Sequence, residues 1–329
     1  MPTALDYFTG QQVYLEGYKD GEAERRTTSF DEIAAVIIWL ATRKGIEHLG
    51  ELTRRELNQF VAQVNREIKR IFKKESKLTD KSLHDFLDSE VGIVDAVFGT
   101  ANLKTPPKGQ VNRKRLWSEI SSAPMPGTGI EPGAIGTIMT TTILLEISRY
   151  IKRSYAERQP VKAFIQTLVG TKSLNFRDGI ITKLKRQWVN LVKTTIQDIS
   201  SYVSFKIGSL THEKYTWVAV LDNRTTDICR NRNGKVYRYE DGPRPPAHWN
   251  CRSFIIPVTV VELEDIPTFY TWIKEQPSGI QDDVLGPVRG RSLRRGDLKS
   301  DDLPGFDYTK PLTLKEYENK VNQMFNEVA

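Results

Sequence analysis

The chain has 329 residues, of which 39% are hydrophobic and 27% charged, the ordinary balance of a soluble globular protein large enough for one big domain or two. Two cysteines exclude a disulfide framework, and the longest apolar run, Ile135 to Leu145, is too short to span a bilayer. The net charge is +7, and residues 100 to 215 hold the whole excess, with 18 Lys/Arg against 7 Asp/Glu.

In chain order, the first 28 residues read as an irregular arm. Met1 to Gly21 has no continuous apolar core, so no signal peptide is expected, which fits a protein made and used in a cytoplasm. Ser29-Phe-Asp-Glu32 reads as a capping box for a helix over 31–44 that turns Ile33, Val36, Ile37 and Leu40 to one face. Thr53-Arg-Arg-Glu56 repeats the device, and its helix carries Leu57, Phe60, Val61, Val64, Ile68 and Phe72 at steps of three and four. A third helix is expected over 80–98, with short breaks that would pack the three antiparallel.

Two interruptions follow, at Thr105-Pro-Pro-Lys-Gly109 and over 122–132, where Pro124, Pro126, Gly127, Gly129 and Pro132 impose a loop that serves as an interaction arm or a linker. Long helices are expected over 133–158 and 179–205, with a short one over 164–169. The 179–205 helix has a seam of Ile181, Leu184, Trp188, Leu191, Thr195, Ile199 and Tyr202. Lys183, Lys185, Arg186 and Lys193 lie beside or opposite that seam, as a solvated face or as a contact for DNA or an acidic partner. After residue 257 the pattern is helical again, at 266–274, in two turns over 279–296, and behind a third capping box at Thr313-Leu-Lys-Glu316.

Residues 216–258 carry both cysteines, Cys229 and Cys251, and His248. Short strands are expected at 217–221, from 235, and at 254–258. Asp222 to Asp227 and Asn233-Gly234 make turns, and Pro245-Pro246 a stiff loop. No nucleophile elbow, metalloprotease helix, P-loop or dinucleotide fingerprint occurs, and the residue two after His248 is Asn250 where a zinc deaminase needs Glu, so no enzyme is expected. Asp222 and Arg224 suit a salt bridge across a turn. Cys229, His248 and Cys251 are good zinc ligands. A fourth would come from Asp222, Asp227 or His212, with Ser253 a poor substitute. Three outcomes stay open for this trio: a zinc site, a Cys229–Cys251 disulfide, or two buried thiols beside a hydrogen-bonded histidine.

Asp222, Arg224, Thr225, Cys229, Gly234, Pro245, Pro246, His248, Asn250, Cys251 and Arg252, in that order and spacing, resemble the MuF-like domain of phage head morphogenesis proteins. The similarity continues through 270–277, Leu285-Gly286 and 312–316, so it covers about the C-terminal half. Many members end the motif Cys-Arg-Cys, whereas this chain has Cys251-Arg252-Ser253, one thiolate short of a four-ligand site. The resemblance implies a minor head protein of a tailed phage, found in the virion and in host cytoplasm during assembly. Its implied partners are the portal and the major capsid or scaffolding protein, and its implied work is head assembly with genome packaging or delivery. Two other readings are a virion-carried effector or enzyme, and a DNA-binding protein acting through residues 100–215. The fold expected is α+β: an arm over 1–28, a helical body with a long basic helix over 29–215, and a module with a short antiparallel sheet over 216–329.

Overall fold

The computed structural model describes residues 3–107, 109–220, 222, 224–258, 268–299, 302–303 and 310–328. The fold is α+β, mainly helical with one small antiparallel sheet in the C-terminal region. Leu221, Asn223, Lys108 and the expected helix start at Ile266 fall outside these residues.

The N-terminal segment is not an irregular arm: α1 runs over Ala4–Arg25. Its residues are buried around nearly the whole circumference, Gln11, Gln12, Lys19 and Glu22 included. A helix enclosed on every side has no polar face, so the 3.6-residue signature that marks surface helices is missing. Helix α2 (Thr28–Thr42) begins before Ser29, which is buried inside its first turn and caps nothing. The second and third expected helices are one, α3 (Arg54–Thr100), of 47 residues. Nothing between Lys73 and Asp80 is Gly or Pro, and Thr79 spends its hydroxyl on Glu75 four residues back instead of capping a new start. The Thr53 capping box does form, Thr53 N–H donating to Glu56 Oε2 at 2.8 Å, and so does its counterpart at Thr313, also at 2.8 Å.

Further along lie α4 (Arg113–Ser122), α5 (Ile135–Ala156), α6 (Val161–Val169) and α7 (Ile180–Ser209). The sheet has the order β2-β1-β3, from β1 (Lys214–Val218), β2 (Val236–Arg238) and β3 (Phe254–Pro257). Tyr215 faces Tyr237 on one side and Pro257 on the other, and both pairings are antiparallel. A short helix, α8 (Asp227–Arg232), interrupts the expected turn region between β1 and β2. Then follow α9 (Phe269–Glu275), α10 (Ser278–Leu285), α11 (Pro287–Arg295) and α12 (Leu314–Val328). Among the described residues, no helix is long and apolar enough to cross a membrane.

The chain forms two compact units, each assembled from separated segments. One comprises Ala23–Ser82 and Gly133–Val192. Its core holds Phe30, Phe72 and Trp188 in edge-to-face contacts at 5.6 and 5.1 Å, and Tyr150 stacked on Phe164 at 5.0 Å. The other comprises Met1–Glu22, Leu83–Pro132 and Lys193–Ala329. There Tyr18 stacks on Phe86 and Tyr317 at 5.0 and 5.7 Å, joining α1, α3 and α12. Beside them the carboxylate of Glu90, fully buried, accepts hydrogen bonds from Ser200 at 2.5 Å, Gln11 at 2.8 Å and Tyr317 at 2.9 Å.

Candidate metal centre

Two elements of the second unit bring the cysteines and histidine together. Cys229 projects from α8, while His248 and Cys251 lie on the loop that leads into β3. Trp217 and Ala219 pack with both cysteines in an apolar cluster, flanked by Tyr237 and Ala247. The Cys229 and Cys251 sulfurs are 3.7 Å apart and unbonded, and Cys229 Sγ is 3.1 Å from His248 Nε2. All three ligand atoms lie within 4.8 Å of one another.

The loop is held from several sides. His248 Nδ1 is 2.9 Å from the carbonyl oxygen of Trp249, which can only accept, so Nδ1 carries the proton and Nε2 faces the sulfurs. Asn250 adopts a left-handed backbone with φ of 55°, tolerable for asparagine, and its N–H donates to Thr194 Oγ1 at 3.1 Å. Arg244 reaches the fully buried Asp198 at 2.6 Å and the Pro245 carbonyl at 2.9 Å, and its guanidinium lies over the Tyr202 ring. Pro245-Pro246 is a cis peptide. Lys19, buried in α1, donates to Gln197 at 3.0 Å and to the Cys251 carbonyl at 3.4 Å, while Gln197 donates to the Ser253 carbonyl at 3.2 Å. Gly127, in the proline- and glycine-rich stretch, lies against the loop backbone: a Cβ there would meet His248 N at 2.3 Å. That stretch is therefore a backing for the histidine loop, and its glycine is a matter of space.

The electrostatics of the trio are uneven. Burial raises the Cys251 pKa, but hydrogen bonds from Cys229 and His248, helped by the Ala247 backbone and the imidazole charge, bring it well below the ordinary thiol value. The Cys229 thiol is pushed up, first by its hydrogen bond to Cys251 and then by burial. His248 is raised, chiefly by its hydrogen bond to Cys251.

The other sequence candidates are placed differently. Asp222 grips Arg252 with both oxygens, at 2.5 and 2.6 Å, and its Oδ1 also accepts the Arg224 N–H at 2.9 Å. The principal partner of Asp222 is therefore Arg252, thirty residues on, and the Arg224 guanidinium stands 3.9 Å away. Gly234, at φ of 77°, hydrogen-bonds through its N–H to the Trp217 carbonyl. Among the described residues, Asp222, Asp227 and His212 do not join the trio as a fourth ligand. His212 bonds instead with Thr211 at 2.8 Å, and Ser253 hydrogen-bonds Cys229.

On α7 the cations are largely engaged within the protein. Lys185 pairs with Asp31 at 2.6 Å, Lys193 pairs with Asp20, and Arg186 donates to the Arg177 carbonyl at 2.5 Å. Lys183 lines a groove of about 400 Å3 with Arg149, Arg153 and Glu146.

Residues 186–256 match the family model described as Phage Mu protein F like protein. The Mu F-like segment begins within α7 and ends in β3, so it contains the whole Asp222–Arg252 motif and all of the sheet but Pro257. It points to phage head morphogenesis at the level of the family. The chain is also 24% identical over 208 residues to an uncharacterized protein of Haemophilus influenzae, in an alignment covering 55% of this chain and 45% of that relative. The chain thus spans less than half the length of the relative it matches. No solved structure matches.

Sequence reading missed most of the support for this loop. Thr194, Gln197 and Asp198 are polar residues on the buried side of α7, and hydrophobic periodicity counts such residues as surface. Lys19 and Gly127 are distant in sequence from the motif and carry no local mark.

Proposed function

We propose that the protein is a minor head protein of a tailed phage that binds the portal during head assembly and acts by contact rather than catalysis. The Mu F-like match over residues 186–256 carries this reading. The internal use of the motif's polar groups supports it further: Asp222 and Arg252 neutralise each other, and Asn250 ties the loop to α7. Residues spent in this way build a rigid module that presents a surface, and leave little for acid–base work. The portal is the primary partner in this proposal, with the major capsid or scaffolding protein as neighbours.

Quantitative mass spectrometry of purified procapsids and virions, combined with cross-linking, tests it. A few copies per particle, cross-linked to the portal, are expected. Absence from both particle types, or cross-links confined to non-structural proteins, overturns the reading.

A further inference from the structure

We infer that Cys229, His248 and Cys251 form a zinc site with three protein ligands and a water molecule in the fourth position. The inference rests on the geometry of the trio and stands apart from the role in head assembly.

The donor set is the first support. Two sulfurs and an imidazole nitrogen are the preferred ligands of zinc, and they come from positions 19 and 22 residues away from Cys229. The spacing is the second. Zn–S bonds of about 2.3 Å at tetrahedral angles place two sulfurs about 3.8 Å apart, and a Zn–N bond of about 2.0 Å places sulfur and nitrogen about 3.5 Å apart. The sulfurs are already at 3.7 Å, and sulfur and Nε2, at 3.1 Å, need open by only a few tenths of an ångström. The orientation of the imidazole is the third. Nδ1–H donates to the Trp249 carbonyl, the outer contact that aims the other nitrogen of a zinc-bound histidine at the metal.

The fourth position follows from the burial pattern. Cys229 and Cys251 are buried, while His248 is half-exposed, so the open side of the trio faces solvent at the imidazole edge. Ser253 touches Cys229 but brings a neutral hydroxyl, a weak zinc ligand beside two sulfurs. Water completes the tetrahedron, and the ion ties α8 to the loop before β3. The ion serves to clamp the module, since its ligands come from α8 and from the loop before β3, and among the described residues no carboxylate joins the group.

The test uses the full chain, purified without added metal. Elemental analysis is expected to give one zinc per chain, with both thiols shielded from a thiol reagent until a chelator is added. Cobalt(II) in place of zinc should give the intense visible bands of a tetrahedral site and a sulfur-to-cobalt charge-transfer band in the near ultraviolet. Cys251→Ser and His248→Asn should each lose that charge-transfer band or weaken zinc at least tenfold, and Ser253→Cys should tighten zinc at least tenfold by supplying a third thiolate. Should the Cys251→Ser chain fail to fold, the cobalt spectrum of the unaltered chain and the Ser253→Cys affinity still decide. Two reactive thiols with no bound metal, a Cys229–Cys251 disulfide, an octahedral cobalt spectrum, or zinc retained unchanged by folded Cys251→Ser would each overturn the assignment.

Discussion

Glu90 offers a quantitative test of the helical core. Its carboxyl projects from α3 and is fully buried where α1, α7 and α12 supply its hydrogen-bond partners, and burial raises its pKa to about 7 from 4.5 despite donors on Gln11, Ser200 and Tyr317. A carboxyl whose pKa is raised on folding binds its proton more tightly in the folded state. Its favourable contribution is therefore complete below about pH 4.5, declines as pH rises, and is lost once pH passes 7. The shift corresponds to about 3 kcal/mol, at 1.36 kcal/mol per unit. Glu90→Gln keeps the shape and removes the titration. Urea unfolding followed by circular dichroism at intervals from pH 4.5 to 8 should show the variant gaining about 3 kcal/mol relative to the unaltered protein across that range. Groups common to both proteins cancel in this difference. Tyr317→Phe removes the hydroxyl that donates to Glu90 Oε2 at 2.9 Å, and should move the inflection to higher pH. A Glu90→Gln difference that is flat with pH, or that slopes the other way, refutes the reasoning.

Two further outcomes follow from the loop supports. Arg244→Ala removes the partner of Asp198, a carboxylate with no exposure, and should cost about 3 kcal/mol or more in chemical denaturation, whereas Asp198→Asn with Arg244→Met should recover much of the loss. Gly127→Ala would set a Cβ against backbone atoms of Ala247 and His248, at 2.5 and 2.3 Å, so the histidine loop must shift. The expected cost is about 1–3 kcal/mol in the same assay, and hydrogen exchange should rise at residues 247–251; an unchanged stability would show that the two segments do not touch.

Local chemistry made much of this protein legible in its sequence. The capping box at Thr53, the seam of α7, the second and third strands and the Mu F-like resemblance all rest on residues a few positions apart, whose periodicity and turn chemistry act without distant partners, whereas the first strand, expected at 217–221, lies three residues earlier at Lys214–Val218. The convergence of Cys229, His248 and Cys251 was a sequence expectation as well, because the motif confines them to 23 residues. Helix α1 was illegible because a helix buried all round shows no face. The expected break before residue 80 does not occur, and the Thr79 hydroxyl turns back to Glu75 within the continuous α3. The pairing of Lys185 with Asp31 spans 154 residues, and that of Lys193 with Asp20 joins still more distant parts of the chain. The charge surplus of the middle segment was visible in composition, but how much of it faces solvent was decided by folding. Contacts such as Lys19 to the Cys251 carbonyl and Gly127 against His248 exist only when remote segments close on one another, since nothing in the local chain energetics favours a buried lysine or a bare glycine at those positions.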